Sequence, residues 1–529
     1  MCSITAAGCS TAWKESPESS SKIKQSWLRI GWVWMMVLCL TACRAPVSAP
    51  PLETATAQLT ASPVLNSQEQ ALLPDFRADM QAMGQAPHYT IQVEIDPLAA
   101  AFQGSLQLQY ANQESAALDQ LFLRLYPNDG ASYGPGSLEV TDITLDGQAV
   151  TRAASQAASI VKIALPAPLP PGGQALLELR FKGQAPRDFA GEEQGAYGIY
   201  NLSEQVLVLS GWYPILAVYD ADGWNLDRVN PVGDAVYSDM ATYQVQVKLP
   251  ADYTLAATGV QVESQTVGET AITTYVSGPA REFALAASPR FGVVTESVDR
   301  VRVNVYYLDE AQAQGQDMLA VAVDSLKTFD HLFAAYPYAE LDIVQTPLHN
   351  AGGVEFPGIV FIEAERFLDS AGPVAVTTVA HEVAHQWWYN LVGNDVIDEP
   401  WLDEALASYS SALYWESIEG SEAYNAVLAD FQAGYDRSVE KGLAGQITQG
   451  MEYYGLPEHA PAYGAVVYRK GALFFDALRQ EIGDQAFFTA LQQYYQRRRY
   501  QIATADDLLS AFEAAAGRPL DDFYQAWLY

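Results

Sequence analysis

Residues 380–409 read AHEVAHQWWYNLVGNDVIDEPWLDEALASY. Two of the chain's six histidines, His381 and His385, stand four apart here, with Glu382 directly after the first and Glu404 nineteen residues past the second. The surroundings predict a helix. Pro373 suits a first helical position. The run VAVTTVAHEVAHQWWYNLV is apolar at helical spacing, and Gly393-Asn394 is expected to close it. One turn apart, the two imidazoles share a face and can hold a divalent metal at ~2.0–2.1 Å each. Glu382 is rotated roughly 100° from His381, which places it beside a water on the metal, as a general base, rather than among the ligands. Pro400 can begin a second helix, PWLDEALASYSSALYW, and the short loop GNDVIDE folds it back on the first. Glu404 then becomes the third ligand of a site with one open position, and zinc is the default metal for two histidines and a carboxylate. A pair of satisfied core histidines is the plainer alternative. In a chain so poor in histidine, H-E-x-x-H arises by chance in roughly one chain in a few hundred, and Glu404 lengthens the odds.

Upstream of this stretch the pattern changes. From about 75 to 297 apolar residues alternate with polar ones: Tyr89, Ile91, Val93, Ile95; Leu106, Leu108, Tyr110; Leu177, Leu179, Phe181; Tyr243, Val245, Val247, Leu249. Period two, bounded by Pro, Gly, Asn and Asp, predicts half-buried antiparallel strands in a sandwich or saddle. After about 300 come a strand (VRVNVYYL), a helix near Met318–Phe333, a strand (ELDIVQTPL), the glycine-rich AGGVEFPG and then helical periodicity to the end. The expected fold is a β-rich domain over 73–297 followed by an α+β, thermolysin-like domain over 298–529.

The stretch around the histidines resembles the M1 family of metallopeptidases, the gluzincin aminopeptidases. The family pattern, H-E-x-x-H, eighteen residues, then Glu, matches His381-Glu382-Val383-Ala384-His385 and Glu404. HQWWYNLVG and WLDEALASY resemble its flanks. The resemblance is specific over about 300–480 and architectural in the β-rich half. It implies that Glu355, in Gly352-Gly353-Val354-Glu355-Phe356, corresponds to the glutamate of the family's G-(A/G)-M-E-N strand, which binds the substrate's α-amine; Val354 and Phe356 depart from that motif. It also implies that Tyr468, in YRKG, hydrogen-bonds the oxyanion of the tetrahedral intermediate. Tyr463 is a further candidate for the pocket wall. The family's P-C-x-D-E-P segment is missing, its place taken by YDADGWNLDRVNPVGDAVYSDMATYQVQV, and no large helical domain follows the catalytic region before Tyr529. Both departures suggest a more open cleft. His349 and His459 are expected to be structural or exposed, and Arg497, Arg498 and Arg499 to form a solvated helix end or to balance the acidic surface.

At the other end, Lys22, Lys24 and Arg29 precede the apolar run Ile30–Ala42, too short to span a bilayer comfortably. Leu40-Thr41-Ala42-Cys43 resembles a bacterial lipoprotein signal, with cleavage before Cys43 and lipid on it. Residues 43–72, rich in Pro, Ala, Ser and Thr, read as a tether. Of the cysteines Cys2, Cys9, Cys39 and Cys43, only the last would survive, so no disulfide is expected. The formal net charge of −34 argues against a nucleic-acid partner and favours cationic ligands in a cleft.

The expected function is a zinc peptidase outside the cytoplasm, anchored to a membrane by lipid and acting on peptides as an aminopeptidase. The alternatives are an open-cleft endopeptidase, a hydrolase of another bond, or a lipoprotein that binds peptides or glycans without cleaving them. Oligomeric state is not legible.

Overall fold

The computed structural model describes residues 65–529, apart from 131, 151, 154–156, 190–196 and 310. The signal segment, Cys43 and most of the tether lie outside the described residues. Part of the tether does not. Leu65–Gln68 and Glu69–Ala71 form helical turns, and Ala71, Leu72 and Leu73 are buried. These apolar side chains reach the core, so order begins before the expected position 73.

The β-rich half carries an eight-stranded sheet in the order Val260–Val267, Thr270–Ala280, Ala241–Pro250, His88–Asp96, Ala101–Ala111, Gln174–Gln184, Ser137–Leu145, Gln148–Ala149. The alternating residues named above are all buried. Register explains why: Leu179, Leu106, Ile91, Val245 and Tyr275 are successive partners in one row across five strands. Two four-stranded sheets, one including Val206–Leu209 and the other Leu118–Arg124, share the core with this face. One central pair, His88–Asp96 with Ala241–Pro250, is parallel rather than antiparallel. These strands lie far apart in sequence, so no tight hairpin constrains their direction.

At the start of that pair, His88 is 7% exposed and its ring lies between the hydroxyls of Thr242 (2.8 Å) and Thr90 (3.3 Å). Burial lowers its pKa to about 4. Because the folded value lies below the ordinary 6.5, the unfolded chain takes up the proton first. The associated stability, about 3 kcal/mol, is intact above pH 6.5 and is lost as pH falls toward 4. His88→Gln is therefore expected to lose less stability than the parent between pH 7 and 4.5 in urea titrations; parallel losses would refute this.

The second half is built on a five-stranded sheet in the order Phe291–Val298, Val301–Leu308, Glu340–Thr346, Ile359–Glu363, Gly353–Phe356. It thus recruits Phe291–Val298, upstream of the boundary expected at 298. The helix Gln312–Leu332 covers one face, and the helices carrying the site pack into the same core. No helix among the described residues is long and apolar enough to cross a membrane.

Arg281 joins the two halves. It is buried, and its guanidinium donates to the carbonyls of Ser238 (3.1 Å), Tyr389 (2.7 Å) and Gln501 (2.7 Å). A Cβ on Gly393 would stand 2.0 Å from the Arg281 Cζ, so Gly393 makes room for this group as well as ending the histidine segment. The arginine cluster is less solvated than expected. Arg498 pairs with Asp507, and Arg499 pairs with Asp79 (2.8 Å) and lies over the rings of Phe76, Tyr495 and Tyr500.

Candidate metal centre and cleft

The histidine helix runs Pro373–Ala384, with Gly372 as N-cap and Pro373 in its first turn. It stops earlier than the periodicity predicts. His385 keeps helical angles, but Tyr389 has φ +91°, and the chain turns off into the short strand Val392–Gly393. The turn has a chemical result: the Trp388 carbonyl points back at His385 Nδ1, 3.1 Å away. A proton on Nδ1 satisfies that carbonyl and leaves the Nε2 lone pair facing the cleft.

The second helix, Trp401–Glu419, starts after Pro400 as expected and carries Glu404 in its first turn. His381 Nε2 and His385 Nε2 are 3.1 Å apart, and Glu404 Oε2 is 3.2 Å from the first and 3.4 Å from the second. Donors arranged tetrahedrally around a zinc ion at ~2.0–2.1 Å stand about 3.3 Å from one another. The three atoms therefore fit, in both spacing and donor type, the zinc expected from the sequence.

Glu382 is buried on the same helix. It lies directly against the strand Gly353–Phe356: a Cβ on Gly353 would meet the Glu382 carboxylate at 2.6 Å. Gly352 is equally constrained, by Arg366 Nε at 2.6 Å from the same hypothetical atom. The strand is tied to the histidine helix by Gln386, which accepts from the Gly358 N–H (2.9 Å) and donates to the Phe356 carbonyl (3.1 Å). Gly358 has φ +72°, as the third residue of the turn Phe356-Pro357-Gly358-Ile359 requires. Through this clamp Glu355, 6% exposed, is held with its Oε1 3.6 Å from His385 Nδ1 and without a hydrogen-bond partner among the described residues.

Tyr468 arrives on a π-helical turn, Gly464–Lys470, that sequence periodicity does not reveal. The turn leads into the helix Gly471–Ile482, which packs against the Glu404 helix so closely that a Cβ on Gly471 would stand 2.4 Å from the Ala405 Cβ. The Lys-Gly pair after the tyrosine thus has a packing reason. The Tyr468 hydroxyl donates to Glu404 Oε1, and its ring stacks on His381 at 5.7 Å. Tyr463 meets Tyr468 edge-on at 5.5 Å.

His381, Glu382, Glu404, Glu355, Gly352, Gly353, Tyr463 and Tyr468 all line one cleft of about 1110 Å³. His385 closes the ligand triangle beneath it. His459 stacks instead on Tyr453 at 3.9 Å, and His349 belongs to none of the metal-competent groups among the described residues. Sequence reasoning did not single out three cleft residues. Asp234 lies in the segment that replaces P-C-x-D-E-P, and its carboxylate comes within 4.8 Å of those of Glu355 and Glu404. Glu282 and Tyr389 also line the cleft. The unusual segment was a signal for Asp234; Glu282 and Tyr389 had none.

The cleft gathers four carboxyl groups, those of the buried Glu355, Glu382 and Glu404 and of the half-buried Asp234. Burial, reinforced by neighbouring carboxylates, pushes Glu355 and Asp234 well above the usual carboxylate range. Burial raises Glu382 too, with the two imidazoles opposing it. Glu404 goes the other way: burial would raise it, but hydrogen bonds with His381 and His385 hold it at about 2. Such a cluster is suited to a divalent metal and, beside it, to an ammonium group.

Comparison with known proteins agrees with this geometry. Residues 318–527 match the Peptidase family M1 domain. Aminopeptidase M1 of Arabidopsis thaliana is 27% identical over 54% of this chain and 34% of its own length. Aminopeptidase 2 of Candida albicans is 25% identical over 74% of this chain and 42% of its own. The chain thus spans well under half the length of these curated relatives. The fold matches the M1 zinc metallopeptidase from Deinococcus radiodurans with a TM-score of 0.63, at 20% identity, over 84% of this chain and 94% of that one. A mutant of that metallopeptidase has been crystallised bound to a Tyr-Ser-Ala substrate, and this chain matches it with a TM-score of 0.60 at 19% identity, over the same shares.

Proposed function

We propose, from the match of residues 318–527 to the Peptidase family M1 domain, that the protein is a zinc aminopeptidase that removes residues from the free N-terminus of peptides. The observation that carries this is the juxtaposition of a tetrahedral donor set, His381, His385 and Glu404, with a second, unligated carboxylate pair, Glu355 and Asp234. His381, His385 and Glu404 would hold zinc, which would supply the Lewis acidity to acidify a water and polarise a scissile carbonyl.

The chain's own groups supply the rest. Glu382, packed against the bare backbone of Gly353, takes the proton of the attacking water and later returns it to the leaving amine. The Tyr468 hydroxyl, beside Glu404, is placed to donate to the oxyanion as negative charge develops there. Glu355 and Asp234 pair with the substrate's α-ammonium and so set the cut one residue from the end. The strand Gly353–Phe356 is the last of its sheet. Its outer edge, which pairs with no other strand among the described residues, offers an extended peptide backbone hydrogen bonds in register.

The sequence of the leading segment supports a lipid anchor on Cys43 and an extracytoplasmic location. The test of activity is one peptide offered with a free N-terminus and as its N-acetylated twin to the zinc-loaded protein, with products read by mass. Stepwise shortening of the free peptide alone is expected. Internal cleavage of both would replace this reading with an endopeptidase.

A further inference from the structure

Four cations also line the cleft: Arg366, Arg437, Lys441 and Arg469. The chain has 29 lysines and arginines against 63 acids, and arginines elsewhere, Arg290, Arg479, Arg499 and Arg518 among them, are paired with carboxylates. None of the four cleft cations forms an ion pair or a side-chain hydrogen bond among the described residues. Two of them sit in places that glycine leaves open. A Cβ on Gly434 would stand 2.6 Å from the Arg469 Cζ, and one on Gly352 would stand 2.6 Å from the Arg366 Nε. Each guanidinium thus lies on bare backbone, where a larger residue would displace it. Asp430, Gly434, Arg437 and Lys441 follow at helical spacing along the helix Ser421–Glu440 and its C-cap. Asp430 lines the same wall but is exposed and pairs with none of the four. Arg366 and Arg469 are half-buried and Arg437 and Lys441 exposed, so a ligand in the cleft reaches them all.

The strand Gly353–Phe356 orders these groups along the cleft. Glu355 lies beside His385, the Glu382 carboxylate lies against Gly353, and Arg366 lies against Gly352. From Glu355 to Gly352 is three residues, ~10 Å of extended chain. A peptide with its α-ammonium at Glu355 and its first carbonyl beside Glu382 therefore carries its later residues toward Arg366. Arg469 follows Tyr468 directly and meets the helix Ser421–Glu440 at Gly434. The net charge of −34 repels anions from the protein as a whole, so the overall field does not account for unpaired cations gathered in this cleft.

We propose that Arg366, Arg437, Lys441 and Arg469 form a wall that binds a carboxylate of the substrate beyond the cut: the free C-terminus of a short peptide, or an acidic side chain in the same place. The proposal rests on the aminopeptidase reading, which fixes the direction of the peptide. An extended tripeptide carries its two terminal charges ~10 Å apart, so Glu355 can hold its ammonium while Arg366 meets its carboxylate. A guanidinium takes a carboxylate through two parallel N–H···O bonds, and the ammonium of Lys441 adds a point charge. Both ends of a short peptide are then held by charges of opposite sign, and the bond to be cut lies between them.

The experiment offers three peptides to the zinc-loaded protein and measures released leucine: Leu-Ala-Ala, its C-terminal amide, and the C-terminal amide of Leu-Asp-Ala. Leu-Ala-Ala is expected to exceed its amide in kcat/KM by at least about tenfold. The ratio is expected to fall toward one in Arg469→Gln and in Arg366→Gln. Each ratio is taken within one protein, so an effect of Arg366 on the nearby Glu382 carboxyl cancels. Arg437→Gln combined with Lys441→Gln changes only exposed side chains and is expected to narrow the ratio even if the other variants fail to fold. Slow cleavage of the Leu-Asp-Ala amide supports the C-terminus as the ligand, and cleavage as fast as that of Leu-Ala-Ala supports an acidic side chain. Equal release of leucine from all three peptides overturns the wall and keeps the aminopeptidase. If no leucine is released, the aminopeptidase reading falls, and calorimetric affinities of the same peptides test the wall alone: tighter binding of the carboxylates supports it, and equal binding overturns it.

Discussion

Glu382→Gln is expected to lower kcat/KM toward an N-terminally free peptide by about 10³-fold, with zinc content unchanged. The substitution is nearly isosteric. Glutamine fits the space that Gly353 leaves open, where any Cβ would strike the side chain at 2.5–2.6 Å. It neither adds nor removes a ligand, because the donor triangle comprises His381, His385 and Glu404. Only the ability to accept a proton is lost. Metal analysis, peptide binding and turnover on one preparation therefore isolate the base. A variant that keeps a tenth of the activity, or one that loses its zinc, would show that Glu382 has another role.

Arg281→Met should cost stability rather than chemistry, about 3–5 kcal/mol in urea unfolding followed by tryptophan fluorescence. Methionine fills much of the same volume but donates nothing. Two buried carbonyls, on Ser238 and Tyr389, and the part-buried carbonyl of Gln501 then lose their partner. Replacing a buried charged group can be neutral when its partners are replaced as well; here the partners are backbone and stay. The loss is expected to be cooperative across both halves, since the three carbonyls lie in segments of both. A change below 1 kcal/mol would mean that the apolar contacts between the halves suffice.

The strands of the β-rich half were legible because a two-residue period is local. Ile91, Leu106, Leu179 and Val245 each announce an inward face, although nothing local says that they form one row or that one pair runs parallel. The donor set was legible for the same reason: His381 and His385 are one turn apart, and Glu404 begins the next helix. The end of the histidine helix was not, because it depends on a positive φ at Tyr389 and on the pull of Arg281 on its carbonyl. Glu282 was invisible for a different reason. A lone glutamate after a strand carries no pattern, and only the tertiary fold brings it beside Tyr389 and into the cleft.

The π-helical turn Gly464–Lys470 amounts to an α-helix with a residue to spare. Each residue of a helix advances the chain by about 100° and about 1.5 Å. If a single residue of this turn were deleted, the helix could close its ordinary hydrogen bonds, but Tyr468 would then swing out of line with Glu404 while Gly471 still sought its seat against Ala405. Spelling is flexible in such a segment and counting is not: side chains facing away from the cleft can drift, whereas an insertion or deletion here shifts the reading frame of the helix itself and leaves the hydroxyl pointing elsewhere.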